Sequence, residues 1–190
     1  MADTNKIRYG IKNCYYAVAT IAANGSATYG TPVALPGAVS ISLDAQGETT
    51  PFYADNIVYY TSVSNNGYEG DLELAKVPDS FLTDCLGYIK DTNDVLVEDA
   101  GASPVHFALM FQFEGDVASK RHVLYNCVAS RPTISGNTKA ENVEPQTESV
   151  TITATTVYNA TLDKDVVKAS CTEAEATQYA AWLTAVYQTT

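Results

Sequence analysis

The chain has 190 residues, of which 46% are hydrophobic and 17% charged, and this composition excludes a disordered polymer and suits one domain spanning residues 1–190. Its 22 acidic and 11 basic residues give a net charge of -11, which argues against a protein that grips nucleic acid by neutralising phosphates. No run approaches the roughly 20 apolar residues of a membrane span, so we expect no membrane partner and synthesis in a cytosol.

The first half of the chain predicts strands separated by polar segments. Residues 14–21 are rich in strand-forming residues and are followed by the turn dipeptide Asn24-Gly25. Residues 39–43 alternate between apolar side chains and serines, with the period of two that is typical of a strand with one buried face. Residues 44–66 are predicted to form a long, polar and irregular loop.

Residues 68–74 predict a strand with an acidic face. Glu69, Asp71 and Glu73 alternate with Tyr68, Gly70, Leu72 and Leu74, and alternate residues of a strand lie on opposite faces. The simpler interpretation is a solvated face, because antiparallel sheets commonly expose one side. The functional interpretation is that the three carboxylates line an acidic channel.

The second half predicts two helices and three further strands. Pro78-Asp79 can open a short helix that Gly87 ends, and residues 105–113, 121–129 and 148–158 follow strand patterns. Thr172 and Glu175 have the spacing of a capping box, and the apolar residues that follow predict a C-terminal helix over 172–188. The fold class is therefore mainly β, with a short flanking helix and a C-terminal helix.

The chain shows no recognisable catalytic motif. Its four cysteines lie far apart without metal-binding spacing, and we expect them to be reduced core residues. His106 and His122 belong to no nucleophile or metal motif. We therefore predict no catalytic residue, no metal site and no cofactor.

Several short segments together resemble one family. The pieces are Tyr53-Ala54-Asp55-Asn56, Asn66-Gly67-Tyr68-Glu69-Gly70-Asp71-Leu72-Glu73-Leu74, Leu86-Gly87, Phe107-Ala108-Leu109-Met110-Phe111, Arg131-Pro132 and Glu144-Pro145-Gln146-Thr147. In order and spacing they resemble the phi13-type family of phage major tail proteins, which build the tail tubes of long-tailed bacteriophages. The resemblance covers most of the chain.

The resemblance implies a β-sandwich-like virion protein that assembles with itself. Six-fold rings would stack into a hollow tube through which double-stranded DNA passes, and the tube would meet the tape measure, tail terminator and distal tail proteins. Glu69, Asp71 and Glu73 are then candidates for the lumen wall. Segment 44–66 is a candidate inter-ring loop, represented by Gln46, Glu48, Phe52, Tyr53 and Asp55, and residues 1–8 form an N-terminal arm.

One alternative stays open, a β-sandwich module that binds carbohydrate or acts in adhesion. The chain has 13 tyrosines, and aromatic rings can stack on sugars. A six-fold assembly without affinity for glycans favours the tube, whereas a glycan-binding monomer favours the module.

Overall fold

The fold is mainly β, as predicted, and two short helices accompany the strands. The computed structural model describes residues 7–116, 118–138 and 145–189. Within these ranges the elements are β1 Tyr9–Ile21, β2 Ala27–Tyr29, β3 Val33–Ala34, β4 Ala38–Gln46, β5 Thr49–Ala54, β6 Ile57–Val63, β7 Gly67–Leu74, α1 Asp79–Leu86, β8 Ile89–Lys90, β9 Leu96–Val97, β10 Phe107–Glu114, β11 Arg121–Ala129, β12 Glu148–Thr155, β13 Val157–Asn159, β14 Lys164–Val166, β15 Lys168–Cys171 and α2 Ala176–Ala181.

Nine strands form one antiparallel sheet. Its order is β2-β1-β10-β11-β12-β7-β4, with β3 added to β1 and β15 added to β11. The sheet curls, because β4 at its far end comes back beside β1. At this closure the Leu35 N–H, just after β3, donates to the Cys14 carbonyl at 2.8 Å. The curl gives the sheet an inner and an outer face.

The inner face holds the larger core, and α1 closes one end of it. Phe81 of α1 meets Tyr16 and Phe107 edge to face, with ring centroids 5.1 and 5.4 Å apart. All three side chains are fully buried. The helix starts after Pro78, as predicted, and Gly87 ends it with a φ of 72°, a left-handed conformation that glycine adopts at little cost.

A second core covers part of the outer face. Ala108, Met110 and Val123 point outward from β10 and β11 and are buried against the C-terminal segment, which contributes Trp182 and Val186. Strand β10 is therefore buried on both faces over most of its length. The alternation in residues 105–113 predicted the strand correctly, but Ala108, Met110 and Gln112 between the large residues also lie inside.

The predicted C-terminal helix over 172–188 is wrong in extent, because α2 covers only Ala176–Ala181. The Glu175 carboxylate does accept bonds from the Thr172 N–H and hydroxyl at 2.8 and 2.5 Å, as in half of a capping box. After Ala181 the chain turns. This turn puts Trp182 into the outer core, where its ring stacks on Tyr187 at 5.3 Å.

The prediction of an irregular loop at 44–66 is also wrong. Strand β4 continues to Gln46, and β5 and β6 form an antiparallel hairpin around Asp55 and Asn56. Both turn residues have positive φ, 53° and 61°, as a tight hairpin turn requires. Of the predicted N-terminal arm, residues 1–6 lie outside the described ranges, and Ile7 and Arg8 lead directly into β1.

Candidate assembly surfaces

An acidic surface occupies the outer face of β7. Glu69 and Asp71 are exposed and Glu73 is half-buried, while Leu72 and Leu74 of the same strand point into the inner core. The alternation predicted from the sequence is confirmed. The structure thus brings the three carboxylates into one row along the strand.

Hydroxyl groups of the two neighbouring strands surround this row. The Ser40 hydroxyl donates to Glu73 at 2.8 Å, and the Thr151 hydroxyl donates to Asp71 at 2.9 Å. The Thr147 hydroxyl donates a short hydrogen bond to Glu73 as well. The bonds from Thr147 and Ser40 favour the ionised form of Glu73 and lower its pKa, with Thr147 contributing most.

The acidic surface carries no balancing charge on its own strands. In register with Glu69, β4 adds a fourth carboxylate, Asp44. Neither β4, β7 nor β12 contains a Lys or Arg. Gly70 lets β4 approach closely, because a Cβ there would lie 1.9 Å from the Ser42 carbonyl oxygen. The result is a tightly paired, hydroxyl-rich face of one charge sign.

A second surface is the hairpin of residues 49–63, which we call the ribbon. It extends the β4–β7 pair beyond the sheet, since the Ser64 N–H donates to the Glu48 carbonyl at 2.9 Å and the Asn66 N–H donates to the Gln46 carbonyl at 2.8 Å. Six residues of β5 correspond to about 20 Å of strand. Within the described residues, β5 and β6 pair only with each other.

The ribbon exposes large hydrophobic side chains on both sides. Seven of the 16 exposed large hydrophobic residues in the described ranges lie in it, so the concentration is local: Phe52, Tyr53, Ile57, Val58, Tyr59, Tyr60 and Val63, which are 50% to 73% exposed. Tyr59 and Tyr60 are adjacent and therefore face opposite sides of β6. An exposed apolar surface of this kind marks an interaction site.

The predicted loop residues all lie on or beside the ribbon. Gln46 and Glu48 form its base, Phe52 and Tyr53 lie in β5, and Asp55 is in its turn. Sequence reasoning missed the run Ile57-Val58-Tyr59-Tyr60 in β6. The available signal was the Asp-Asn turn between two short stretches rich in aromatic and β-branched residues.

The four cysteines pack in the interior and His122 is half-buried, whereas His106 is exposed. His122 stacks on Phe111 at 5.3 Å, and burial, with added repulsion from Lys120, Lys168 and Arg8, lowers its pKa to about 4. Nδ1 of His106 lies 2.7 Å from the Asn126 side-chain oxygen. The four cysteines are buried and unpaired, as predicted. In the described part of the chain, no three His, Cys, Asp or Glu residues form a group that could hold a metal ion.

Comparison with known families identifies the chain. A family model described as phage tail tube protein matches residues 2–190. The chain belongs to the phage tail tube protein family. The membership confirms the major tail protein assignment, whereas the narrower phi13-type grouping stays a prediction. No curated protein matches this tail tube protein.

Family membership gives both surfaces a context. Phage tail tube proteins are structural proteins of the virion, and they assemble with copies of themselves and with other tail proteins. This tail tube protein has no helix, among the residues described, that is long and apolar enough to cross a membrane. The acidic surface on β7 and the ribbon are therefore the two candidate surfaces for such an assembly.

Proposed function

We propose that the protein is the repeating subunit of a hollow tail tube, in which six copies form a ring, the rings stack, and double-stranded DNA passes through the lumen. The observation that carries this proposal is the ribbon, a hairpin that leaves the sheet with seven large hydrophobic side chains exposed. A monomer gains nothing from that exposure, and a partner surface would bury it. The protein acts as a structural component and not as an enzyme.

The ribbon makes the contact between stacked rings. A subunit that stacks head to tail uses two different surfaces, and such heterologous contacts continue along an axis without closing. The ribbon is suited to this role because it reaches beyond its own sheet. Phe52, Tyr53 and the β6 residues then supply the buried area, and the turn at Asp55 lies at the far tip.

The acidic face lines the lumen. Glu69, Asp71 and Glu73 present negative charge from β7, and neither β7 nor its neighbours β4 and β12 contain a Lys or Arg. A lumen of this charge repels phosphates and lets DNA slide, whereas a basic lumen would retain DNA through counterion release. The net charge of -11 acts in the same direction.

Neighbours within a ring join through sheet edges. Among the described strands, β4 hydrogen-bonds only to β7, so the part of its other edge that does not lie beside β1 carries backbone groups that can accept a strand of the next subunit. Closing a ring of sheets removes such edges.

At its two ends the tube meets the tail terminator and the distal tail protein, and the tape measure protein occupies its lumen during assembly. Synthesis takes place in the host cytoplasm, and the finished protein resides in the virion tail.

The decisive experiment removes the ribbon without disturbing the sheet. The bonded pair Glu48 and Ser64 has the geometry that a two-residue turn can close, so residues 49–63 are replaced by Asn-Gly. We expect a folded monomer with unchanged unfolding temperature that forms rings but no stacked tubes in electron micrographs. Tubes that assemble as well as the wild type would refute the inter-ring role.

A matched control separates the shape of the ribbon from its chemistry. Replacing Tyr59 and Tyr60 by Thr keeps a strand-forming hairpin of the same length and removes the two exposed rings of β6. We expect this variant to need a higher protein concentration for tube growth but to remain competent. Equal tube growth by the Tyr59→Thr, Tyr60→Thr double variant and the wild type would show that these two aromatic side chains contribute nothing to tube growth.

The lumen assignment has its own test. Glu69→Lys with Asp71→Lys should leave ring formation intact and produce tubes that retain DNA in a salt-dependent way. Glu69→Gln with Asp71→Asn is the neutral control and should retain far less. A tube reconstruction that places Glu69, Asp71 and Glu73 on the outer wall would end this assignment.

One observation favours the carbohydrate-binding alternative. A cavity of about 230 Å³ beside the C-terminal segment is lined in part by Tyr29, Tyr125 and Tyr158. Glycan-array binding by the wild type that is lost in Tyr158→Ala, together with a monomer at all concentrations, would support the module. Stacked tubes without glycan binding would support the tube.

A further inference from the structure

The curled sheet has an open end, which we call the mouth, where the ribbon departs. It is a groove of about 190 Å³ whose floor and rim include Leu43, Tyr68, Phe113, His122, Arg8 and Lys168. The first four come from the end of β4, the start of β7, the end of β10 and the start of β11, whereas Arg8 precedes β1 and Lys168 begins β15. The mouth is therefore an apolar and aromatic floor with two long cationic side chains at its rim.

The mouth is electropositive although the protein as a whole is acidic. The Arg8 guanidinium lies over the Phe113 ring at 4.6 Å, and the Lys168 ammonium lies over the Tyr68 ring at 4.5 Å. These cation–π contacts hold both charges at the rim. Burial is the main cause of the lowered pKa of His122, and repulsion from Lys120, Lys168 and Arg8 adds to it, while Asp116 opposes.

The other end of the molecule has the opposite character. Strand β10 starts at Phe107, which packs against α1, and reaches Phe113 in the mouth six residues later, so the two ends are about 20 Å apart. The segment 75–105 at the α1 end contains six acids and two lysines, namely Asp79, Asp84, Asp91, Asp94, Glu98 and Asp99 against Lys76 and Lys90.

The same end also exposes aliphatic side chains. Strands β8 and β9 form a small hairpin in which Ile89, Val95 and Val97 are 48% to 56% exposed. The Asp91 carboxylate accepts bonds from the Asn93 and Val95 amides at 2.8 Å and so holds the hairpin loop in shape. We call residues 89–99, the hairpin and the two acids that follow it, the knob. Asp94 lies in the turn of the hairpin, and Asp99 follows β9 and accepts a hydrogen bond from the Gly101 N–H at 2.8 Å.

We propose that the β8–β9 knob of one copy docks in the mouth of the next copy along the tube. Val95 and its aliphatic neighbours contact the aromatic floor, and Asp94 and Asp99 meet Lys168 and Arg8 at the rim. Charge complementarity selects this pairing, because two mouths or two knobs brought together would repel each other. The inference rests on the proposed stacking of rings and identifies the two surfaces that make all subunits in a stack point in the same direction.

The test is a charge exchange between the two ends. One variant carries Arg8→Glu with Lys168→Glu, a second carries Asp94→Lys with Asp99→Lys, and a third combines all four changes. We expect each single-ended variant to raise the concentration needed for tube growth by about tenfold or more, because like charges then face each other. The combined variant has complementary ends again and should regain growth to within about threefold of wild type.

Controls make the result specific. Lys164→Glu reverses an exposed charge on β14 that belongs to neither the mouth nor the knob, and should leave growth unchanged. Thermal unfolding of every variant monitors the fold, and Lys168→Gln provides a milder change at the same position. The docking would be overturned if the combined variant grew no better than the single-ended variants, or if the single-ended variants grew like wild type. In either case, wild-type tubes would still support ring stacking. Wild-type protein that never stacks would overturn both.

Discussion

The strand pair β10–β11 and the ribbon are built from similar residues and lie in opposite environments. In β10, residues 107–112 are all buried, between the inner core and the C-terminal segment. In the ribbon, both faces of β5 and β6 are exposed, including seven large hydrophobic side chains. Strand-forming residues alone therefore do not show whether their side chains are buried within the monomer or against a neighbouring subunit. In β10–β11 the monomer supplies the burial, and we attribute the ribbon's burial to a neighbouring subunit.

The sharpest contrast is between two phenylalanines. Phe107→Ala should lower the free energy of unfolding by about 3–5 kcal/mol, because Phe107 is fully buried against Phe81. The matched change Phe52→Ala, at a side chain that is 61% exposed, should stay within about 0.5 kcal/mol. Urea denaturation of the monomers measures both. Equal losses at the two positions would show that the ribbon is buried in the monomer as β10 is.

The outer face of β10 gives the next effect in size. Met110→Ala should cost about 2–5 kcal/mol, because Met110 is fully buried and its core includes Trp182 and Val186. The same denaturation experiment checks it. A loss below about 0.5 kcal/mol would mean that the C-terminal segment does not cover this face in solution.

His122 should make stability depend on pH. Its pKa is about 4 in the folded chain against an ordinary 6.5, so the unfolded chain takes up a proton first as the pH falls. The histidine therefore lowers the free energy of unfolding between pH 6.5 and about 4 and has no effect above that window. His122→Phe keeps a ring against Phe111 and should show a shallower loss over this window. Parallel pH profiles for the two proteins would contradict the assignment.

The smallest expected effect is local to the ribbon. Asn56 has a φ of 61°, so Asn56→Ala should destabilise the hairpin turn by about 1 kcal/mol, while Asn56→Gly should not. Amide exchange in β5 and β6 should quicken in the alanine variant, with no change in global unfolding. Loss of global stability would show that the ribbon and the sheet fold as one unit.

The same contrast explains how much could be predicted from the sequence. Strand β7 and its acidic face were predictable because one side is buried and the other solvated, which produces a period of two. The ribbon has no buried side, so Ile57-Val58-Tyr59-Tyr60 carries no such period. The helix at 79–86 was predictable from Pro78-Asp79 and Gly87, although Asp79 lies in its first turn and no side chain caps its N-terminus. The C-terminal helix was overestimated because Trp182 reaches the core through a turn. The roles of Glu69, Asp71 and Glu73 and of the ribbon remain predictions, since a single chain does not contain their partners.

The most direct test of the account is a cryo-electron microscopy reconstruction of tubes, grown from the purified protein or taken from isolated tails, at a resolution that shows side chains. We expect six-fold rings in which each ribbon is buried against the next ring and Glu69, Asp71 and Glu73 face the lumen. Ribbons that lie free on the outside of the tube, with the acidic face turned away from the lumen, would contradict it.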